Sequence, residues 1–314
     1  MSKVIIDENK INDIEVYLGE INNEISKPTD SKMFMGAWYH KCISSKDEWL
    51  GIEATITLPE FYADQSRLEF FEHKGSVNGK PLKPFLRCLD SPSVYVGGNA
   101  GYESDIGFAY AQGFLDPGMN VLSFQKNVFR PFWRYIVKNS DGSEKNIYNA
   151  TAITQVEYYF YPGDKLRLRV YCPEENTLRL QIELLEPTKI LKYRKIRKNL
   201  GVDENQKIIF TSPLIESQGQ GVNLAEFKRV NAIDQFYNEG SSNKNTDSYT
   251  TSTVWHEVYL YRKINGDIKK IPFTSERYVE INCPHDDSVI KTNDVTNQTL
   301  GGEEVAIDPR NSLV

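Results

Sequence analysis

Regular alternation of apolar and polar residues constrains the fold of this chain more than any other feature. In residues 52–58 every second residue is apolar, and residues 165–172 and 177–184 repeat the pattern. Successive side chains of a β-strand point to opposite faces, so this spacing predicts strands with one buried face and one wet face. The short polar stretch 173–176 between the last two segments predicts a hairpin.

Further segments have the apolar and aromatic composition of strands. They are residues 68–71, 93–96, 106–112, 128–137, 155–161, 208–211, 225–233, 253–262 and 278–281. Many strands with one apolar face each can bury those faces when two sheets stack on each other. We therefore predict an all-β fold, a two-sheet antiparallel jelly-roll sandwich, and a chain of 314 residues suits one such domain.

The amino-terminal region follows a different period. Between residues 9 and 26 the apolar residues advance by steps of three and four, at Ile11, Ile14, Leu18, Ile21 and Ile25. This spacing predicts one amphipathic helix, which packs on the sandwich or forms a seam between copies in a homo-oligomer. The predicted organisation is the helix within 1–31, the sandwich within 32–291 and a polar, mobile tail within 292–314.

Charge and composition exclude several classes of partner and location. The net charge is −6, which gives no reason to expect nucleic acid, and the basic stretch 189–198 is predicted to be a solvated strand face. No apolar run is long enough to span a membrane, and the first twenty residues lack a signal peptide. A cytoplasmic location follows, with leaderless export as the alternative. The four cysteines form no CxxC pair and are predicted to be buried, reduced thiols.

Three segments resemble parts of the concanavalin A-like jelly rolls of lectins and glucanases: residues 49–54, 92–98 and 161–164. The resemblance implies that a concave sheet and the loop from Gly97 to Asp105 form the ligand site. Glu103-Ser104-Asp105 resembles the first two acids of the glucanase motif Glu-x-Asp-x-(x)-Glu, which implies a nucleophilic role for Glu103. The place of the third acid is taken by Gly107 and Phe108, so the glucanase motif is incomplete.

A second resemblance is to the glutamic peptidases, jelly-roll enzymes whose Glu and Gln activate a water. Residues 96–107 look like the strand that carries the Gln, and residues 225–227 look like the start of the strand that carries the Glu. In that alignment Asp105 stands at the Gln, and Val230 or Asn231 stands at the Glu. The catalytic pair of this family is therefore also incomplete.

The densest run of aromatic and arginine residues is 129–135. Aromatic faces beside charged groups are suited to sugars, because the ring stacks on C–H groups while the charges bind hydroxyls. We predict a carbohydrate or other small polar ligand, with no cofactor, bound by Tyr102, Glu103, Asp105, Trp133 and Arg134. In this hypothesis Glu103 and Asp105 accept hydrogen bonds, Trp133 is the stacking platform and Arg134 is a donor.

Two other functions remain open at this point. One is a hydrolase of glycosides or peptides that uses Glu103 and Asp105, and the other is a structural or assembly protein. A zinc site is a further alternative, because His40 and Cys42, and likewise Cys283 and His285, place a thiol and an imidazole two residues apart. Since cysteine is among the most buried residue types, packing is the favoured interpretation and no metal is predicted.

Overall fold

The computed structural model describes residues 3–29, 31–71, 76–77, 80–81, 85–101, 108–111, 128–152, 155–203, 206–285 and 288–312. Nearly half of them belong to strands of antiparallel β-sheets, so the predicted all-β sandwich is confirmed. No helix among the described residues has the length and apolar character needed to cross a membrane.

The strands follow one another along nearly the whole chain. In chain order they are β1 (Ala37–Ser44), β2 (Trp49–Thr57), β3 (Phe61–Tyr62), β4 (Leu68–Phe71), β5 (Ser76–Val77), β6 (Lys80–Pro81), β7 (Phe85–Cys88), β8 (Asp90–Asn99), β9 (Phe108–Ala111), β10 (Phe129–Lys138), β11 (Glu144–Ala150), β12 (Lys165–Tyr171), β13 (Thr177–Glu186), β14 (Ile209–Thr211), β15 (Ile215–Glu216), β16 (Glu226–Gln235), β17 (Tyr249–Ile264), β18 (Asp267–Pro272), β19 (Tyr278–Cys283), β20 (Ile290–Asn293) and β21 (Glu303–Ile307). The helices are α1 (Leu191–Asn199) and short 3-10 helices at Glu8–Asp13, Gln65–Arg67, Val156–Tyr158, Gln298–Leu300 and Pro309–Asn311.

Two large sheets form the sandwich. The seven-stranded sheet has the order β11-β10-β9-β8-β16-β1-β19, and the ten-stranded sheet has the order β14-β13-β12-β2-β17-β21-β20, with β3, β15 and β18 paired at its sides. The predicted hairpin is confirmed: β12 pairs antiparallel with β13, with Leu168 opposite Ile182. Two short pairs, β4 with β7 and β5 with β6, stand apart from the large sheets.

The main core fills the space between the two sheets. Residues such as Val96 and Phe227 from the seven-stranded sheet and Leu168 and Leu260 from the ten-stranded sheet are fully buried there. Burying one such side chain contributes about 1.5–3 kcal/mol to stability. The face of each sheet that lines this space is called its inner face below, and the opposite face is called its outer face.

The outer face of the seven-stranded sheet carries a second, smaller apolar cluster. Tyr39, Val230, Ala232 and Ile281 are buried in it, and the ring of Phe34 stacks on Tyr39 with the ring centroids 3.8 Å apart. Apolar packing therefore covers the part of this face near β1, whereas the part near β10 and β11 carries polar side chains.

The predicted amino-terminal helix differs from the structure. Only Glu8–Asp13 is helical, as a 3-10 helix, and the following residues run beside β18, where Tyr17 N donates to Lys270 O at 2.9 Å. The β-branched isoleucines, the asparagines and Gly19 are poor helix formers, so backbone pairing with the sheet prevails. Ile11 is still buried, against Tyr171 and Tyr261 on the outer face of the ten-stranded sheet.

Other segments also differ from expectation. Residues 155–161, which were predicted to form a strand, contain the 3-10 helix Val156–Tyr158. The basic stretch forms α1 instead of a strand, and it is not wholly solvated because Arg197 is buried in an ion pair with Asp164. Burial raises the pKa of Asp164 although the Arg197 guanidinium opposes this shift. The polar tail supplies β20 and β21, and β21 pairs with β17 inside the ten-stranded sheet. Thus the protein's own backbone holds residues 303–307.

Candidate functional site

A polar group lies on the outer face of the seven-stranded sheet. It consists of Ser93 from β8, Asp234 from β16, Arg134 from β10 and Tyr148 from β11, and it is called the outer-face group below. Ser93 Oγ donates to Asp234 Oδ2 at 2.8 Å. Strand alternation explains why Asp234 faces outward. Phe227 belongs to the same strand and points into the main core. Asp234 is an odd number of residues away from Phe227, so its side chain points to the opposite face.

Asp234 has the most altered acid–base property of this group. Burial raises the pKa of its carboxyl to about 6, while the hydrogen bond from Ser93 and the charge of Arg134 act in the opposite direction. The side chain is half-buried. A carboxyl group with this pKa exchanges protons near neutral pH, which an ordinary surface aspartate does not.

Tyr148 presents an aromatic ring on the same face of the sheet, where the charge of Asp234 acts on its hydroxyl. Its side chain is 54% exposed, and its ring stacks on Phe132 with the centroids 5.4 Å apart. Burial raises the pKa of its hydroxyl to about 12; the charge of Arg130 lowers the pKa, and that of Asp234 raises it. The hydroxyl is therefore a neutral donor at physiological pH, and the exposed part of the ring is available for stacking.

Arg134 lies opposite Tyr148 in the β10–β11 ladder. Its Nε is buried and has no hydrogen-bond partner in the described part of the chain. A buried guanidinium donor without an acceptor costs free energy, on the order of 1–3 kcal/mol for a polar group. An acceptor from a ligand that reached this nitrogen would remove that cost.

The residues predicted from the sequence are distributed differently. Trp133 points inward, where its ring lies 5.6 Å from that of Phe210 in β14, and Arg134 points outward toward Asp234. The structure therefore places these two neighbours on opposite faces of one sheet. Tyr102, Glu103 and Asp105 lie outside the described residues, which reach Gly101 after β8.

The sequence did not single out Ser93, Tyr148 or Asp234. Continuing the alternation of residues 225–233 by one position would have put Asp234 on a wet face. A single acid on a wet face is common, however, and Arg134 and Tyr148, which interact electrostatically with Asp234, come from other parts of the chain.

A second polar group is buried between the sheets. His40 and Cys42 from β1 and Glu303 from β21 place their ligand atoms within 4.8 Å of one another, and this group is called the inter-sheet cluster below. Burial acts to lower the pKa of His40, but Cys42 and Glu303 outweigh it and hold the pKa well above its usual value. Arg229 Nη2 donates to Glu303 Oε2 at 2.7 Å.

The two thiol–imidazole pairs of the sequence do not meet. Cys42 lies in the main core, whereas Cys283 lies in the apolar cluster on the outer face of the same sheet. All four cysteines are buried and free, as predicted. Glu303, which the sequence placed in a mobile tail, is the third member that joins His40 and Cys42.

Comparisons with known proteins give only distant structural matches. No protein-family model matches the chain, and no curated protein matches its sequence. A scytalido-glutamic peptidase with a peptide-based transition state analog has a TM-score of 0.43 and 8% identity, over 86% of this chain and 98% of that chain. SCP-B, a member of the eqolisin family of peptidases, has a TM-score of 0.35 and 10% identity, over 87% and 98% of the two chains.

A polysaccharide-degrading enzyme also matches. An alginate lyase from Alteromonas sp. 272 has a TM-score of 0.27 and 12% identity, over 65% of this chain and 57% of that chain. The matches therefore include peptidases and lyases with different chemistry.

Proposed function

We propose that the outer-face group binds a carbohydrate or another small polar ligand. The observation that carries the proposal is the exposed ring of Tyr148 beside a guanidinium, Arg134, whose Nε lacks a partner in the described chain. The Ser93–Asp234 pair adds a hydroxyl and a carboxyl to the same face. A ring that stacks on C–H groups, next to charged groups that bind hydroxyls, is what sugar recognition requires.

The roles proposed from the sequence change in one respect. Tyr148 replaces Trp133 as the stacking platform, because the ring of Trp133 packs against Phe210. Arg134 keeps its role as a donor. Tyr102, Glu103 and Asp105 stay in the proposal as the further contacts predicted from the sequence, and they lie outside the described residues.

A glycan array followed by calorimetry tests this proposal. We expect one class of glycan to bind unchanged, and Tyr148→Ala and Arg134→Ala each to weaken binding about tenfold or more, the equivalent of about 1.4 kcal/mol. Tyr62→Ala is the matched control, because Tyr62 is 43% exposed and stacks on Tyr249 at 4.6 Å in the other sheet. Absence of binding across the array, or equal losses in the control, would contradict the proposal.

A hydrolase is the second candidate, and the pKa of Asp234 favours it. A carboxyl with a pKa of about 6 is suited to general acid–base catalysis near neutral pH. The partner acid would come from Glu103 or Asp105. Turnover of a polysaccharide or a protein that disappears in Asp234→Asn, and separately in Glu103→Gln, would establish this function in place of simple binding.

Assembly through the amino-terminal region stays a prediction. Ile11 is used for packing on the protein's own sheet, while Leu18 is 75% exposed. Light scattering on the full chain measures self-association directly. A monomer at all concentrations would rule out assembly of this kind.

A further inference from the structure

The inter-sheet cluster has the ligand types and spacing of a transition-metal site. His40 Nε2 lies 3.4 Å from Cys42 Sγ and 3.1 Å from Glu303 Oε2. Tetrahedral zinc, with a zinc–sulfur bond of about 2.3 Å and a zinc–nitrogen bond of about 2.0 Å, separates its sulfur and nitrogen ligands by about 3.5 Å. The same geometry separates nitrogen and oxygen ligands by about 3.3 Å. Both measured separations therefore fit two edges of a zinc tetrahedron.

Hydrogen bonds outside the cluster fix the orientation of His40. Asn282 Nδ2 donates to Glu280 Oε1 at 2.9 Å, so Asn282 Oδ1 is the atom that faces His40 Nδ1, at 2.8 Å. His40 Nδ1 therefore donates to Asn282, and Nε2 is directed toward Cys42 and Glu303. Metal-binding histidines are commonly held by a hydrogen bond of this kind on the second nitrogen.

The cluster is closed to water. Cys42 is 0% exposed and His40 is 1% exposed, so water does not screen Nε2, Sγ and Oε2 from one another. Arg229 binds the Glu303 carboxylate from one side and is held over the rings of Trp255 and Tyr278, at 5.5 and 5.4 Å. Arg229 also hydrogen-bonds Cys42, so one guanidinium contacts two of the three proposed ligands.

We propose that His40 Nε2, Cys42 Sγ and Glu303 Oε2 bind one zinc ion. Mixed nitrogen, sulfur and oxygen ligands select zinc over magnesium or calcium, which prefer oxygen alone. Binding displaces the thiol proton of Cys42 and any proton on Nε2, and a water fills the fourth position. Because His40 and Cys42 belong to one sheet and Glu303 belongs to the other, the zinc ion joins the two layers of the sandwich.

Cobalt titration of the full-length, reduced and metal-free protein tests this site. We expect one equivalent of Co²⁺ to bind and to produce a thiolate-to-cobalt charge-transfer band, which one equivalent of Zn²⁺ then abolishes. Cys42→Ser should lose the band. Cys172→Ser should keep it, because that buried thiol contacts the carbonyl oxygen of Glu174 at 3.1 Å and is not part of the cluster.

If Cys42→Ser does not fold, X-ray absorption on the zinc-loaded wild-type protein can identify the zinc ligands instead. The expected first shell has one sulfur and three nitrogen or oxygen atoms, and Glu303→Gln should weaken zinc binding at least tenfold. Folded wild-type protein that takes up no metal would overturn the proposal. Zinc without a sulfur ligand, or a cobalt band that survives in Cys42→Ser, would overturn it equally.

Discussion

Charged side chains on the outer faces of the two sheets differ in how fully they are paired. On the ten-stranded sheet Glu53 is buried among Arg169, Lys270 and Tyr261, all of which bind its carboxylate. Burial alone would raise the pKa of Glu53, but Arg169 and Lys270 outweigh it and hold the pKa below its usual value.

On the seven-stranded sheet the charges are not matched in this way. The carboxyl of Asp234 has a raised pKa, and Arg134 Nε has no partner in the described chain. We interpret the first group as a stabiliser of the fold and the second as the ligand site that we propose. Four variants can break or sharpen this contrast.

The largest effect is expected for Glu53→Ala. Removing the carboxylate leaves Arg169 buried without its counter-charge, which costs about 3–5 kcal/mol in the free energy of unfolding. Urea denaturation followed by circular dichroism measures this loss. A cost below about 1 kcal/mol would mean that the buried ion pair does not hold the sheet.

Trp133→Ala is expected to come next. Because the half-buried ring packs against Phe210, its loss should lower the free energy of unfolding by about 2–3 kcal/mol. Ligand affinity of the folded variant should stay near that of the wild type. A stable variant that has lost binding would restore Trp133 as the stacking platform and weaken the case for Tyr148.

The pH dependence of Asp234 should produce a smaller effect. Its pKa is raised from 3.8 in the unfolded chain to about 6 in the folded protein, so the folded state binds the proton more tightly. Stability from this group is full below about pH 4 and is lost as the pH rises to 6. Carboxyl carbon NMR should give a titration midpoint near 6, and Asp234→Asn should flatten the stability profile in this window. A midpoint near 4 would contradict the burial of this carboxyl.

Arg134→Ala should change stability least. Since no hydrogen bond of Arg134 Nε is broken, and relief of its unpaired burial offsets the lost packing of the side chain, we expect a net change in the free energy of unfolding below about 0.5 kcal/mol. A loss as large as that of Glu53→Ala would show that Arg134 is structural. Equilibrium denaturation of both variants under the same conditions makes the comparison direct.

The sequence predicted the strands in which apolar and polar residues alternate clearly, and it missed some strands without that pattern. β12 and β13 were found because polar and apolar residues alternate along them. β1 was missed because all eight of its residues are buried, so no alternation marks it. The isoleucine spacing before residue 26 fitted a helix, but pairing with β18 buries some of the same side chains in extended form.

The candidate sites depended on information that spacing does not contain. Arg134 was identified from its aromatic surroundings, yet Tyr148 lies opposite it only through strand pairing, and Asp234, whose carboxyl feels its charge, belongs to a distant strand. In the same way Glu303 joins His40 from more than 250 residues away along the chain. Local sequence patterns predict strands well. Contacts between residues far apart in the chain can be predicted only when the order of the strands in the sheet is known.

Because β21 is an inner strand that lies near the end of the described chain, synthesis of the protein has to pass through an incomplete state. Until residue 307 has left the ribosome, part of β17 exposes unpaired backbone groups that β21 later satisfies. β1 likewise lacks both of its pairing partners until β16 and β19, which lie much later in the chain, have been synthesised. Nascent chains with such open edges pair readily with one another, so chaperones that cover them during translation should raise the yield of folded protein.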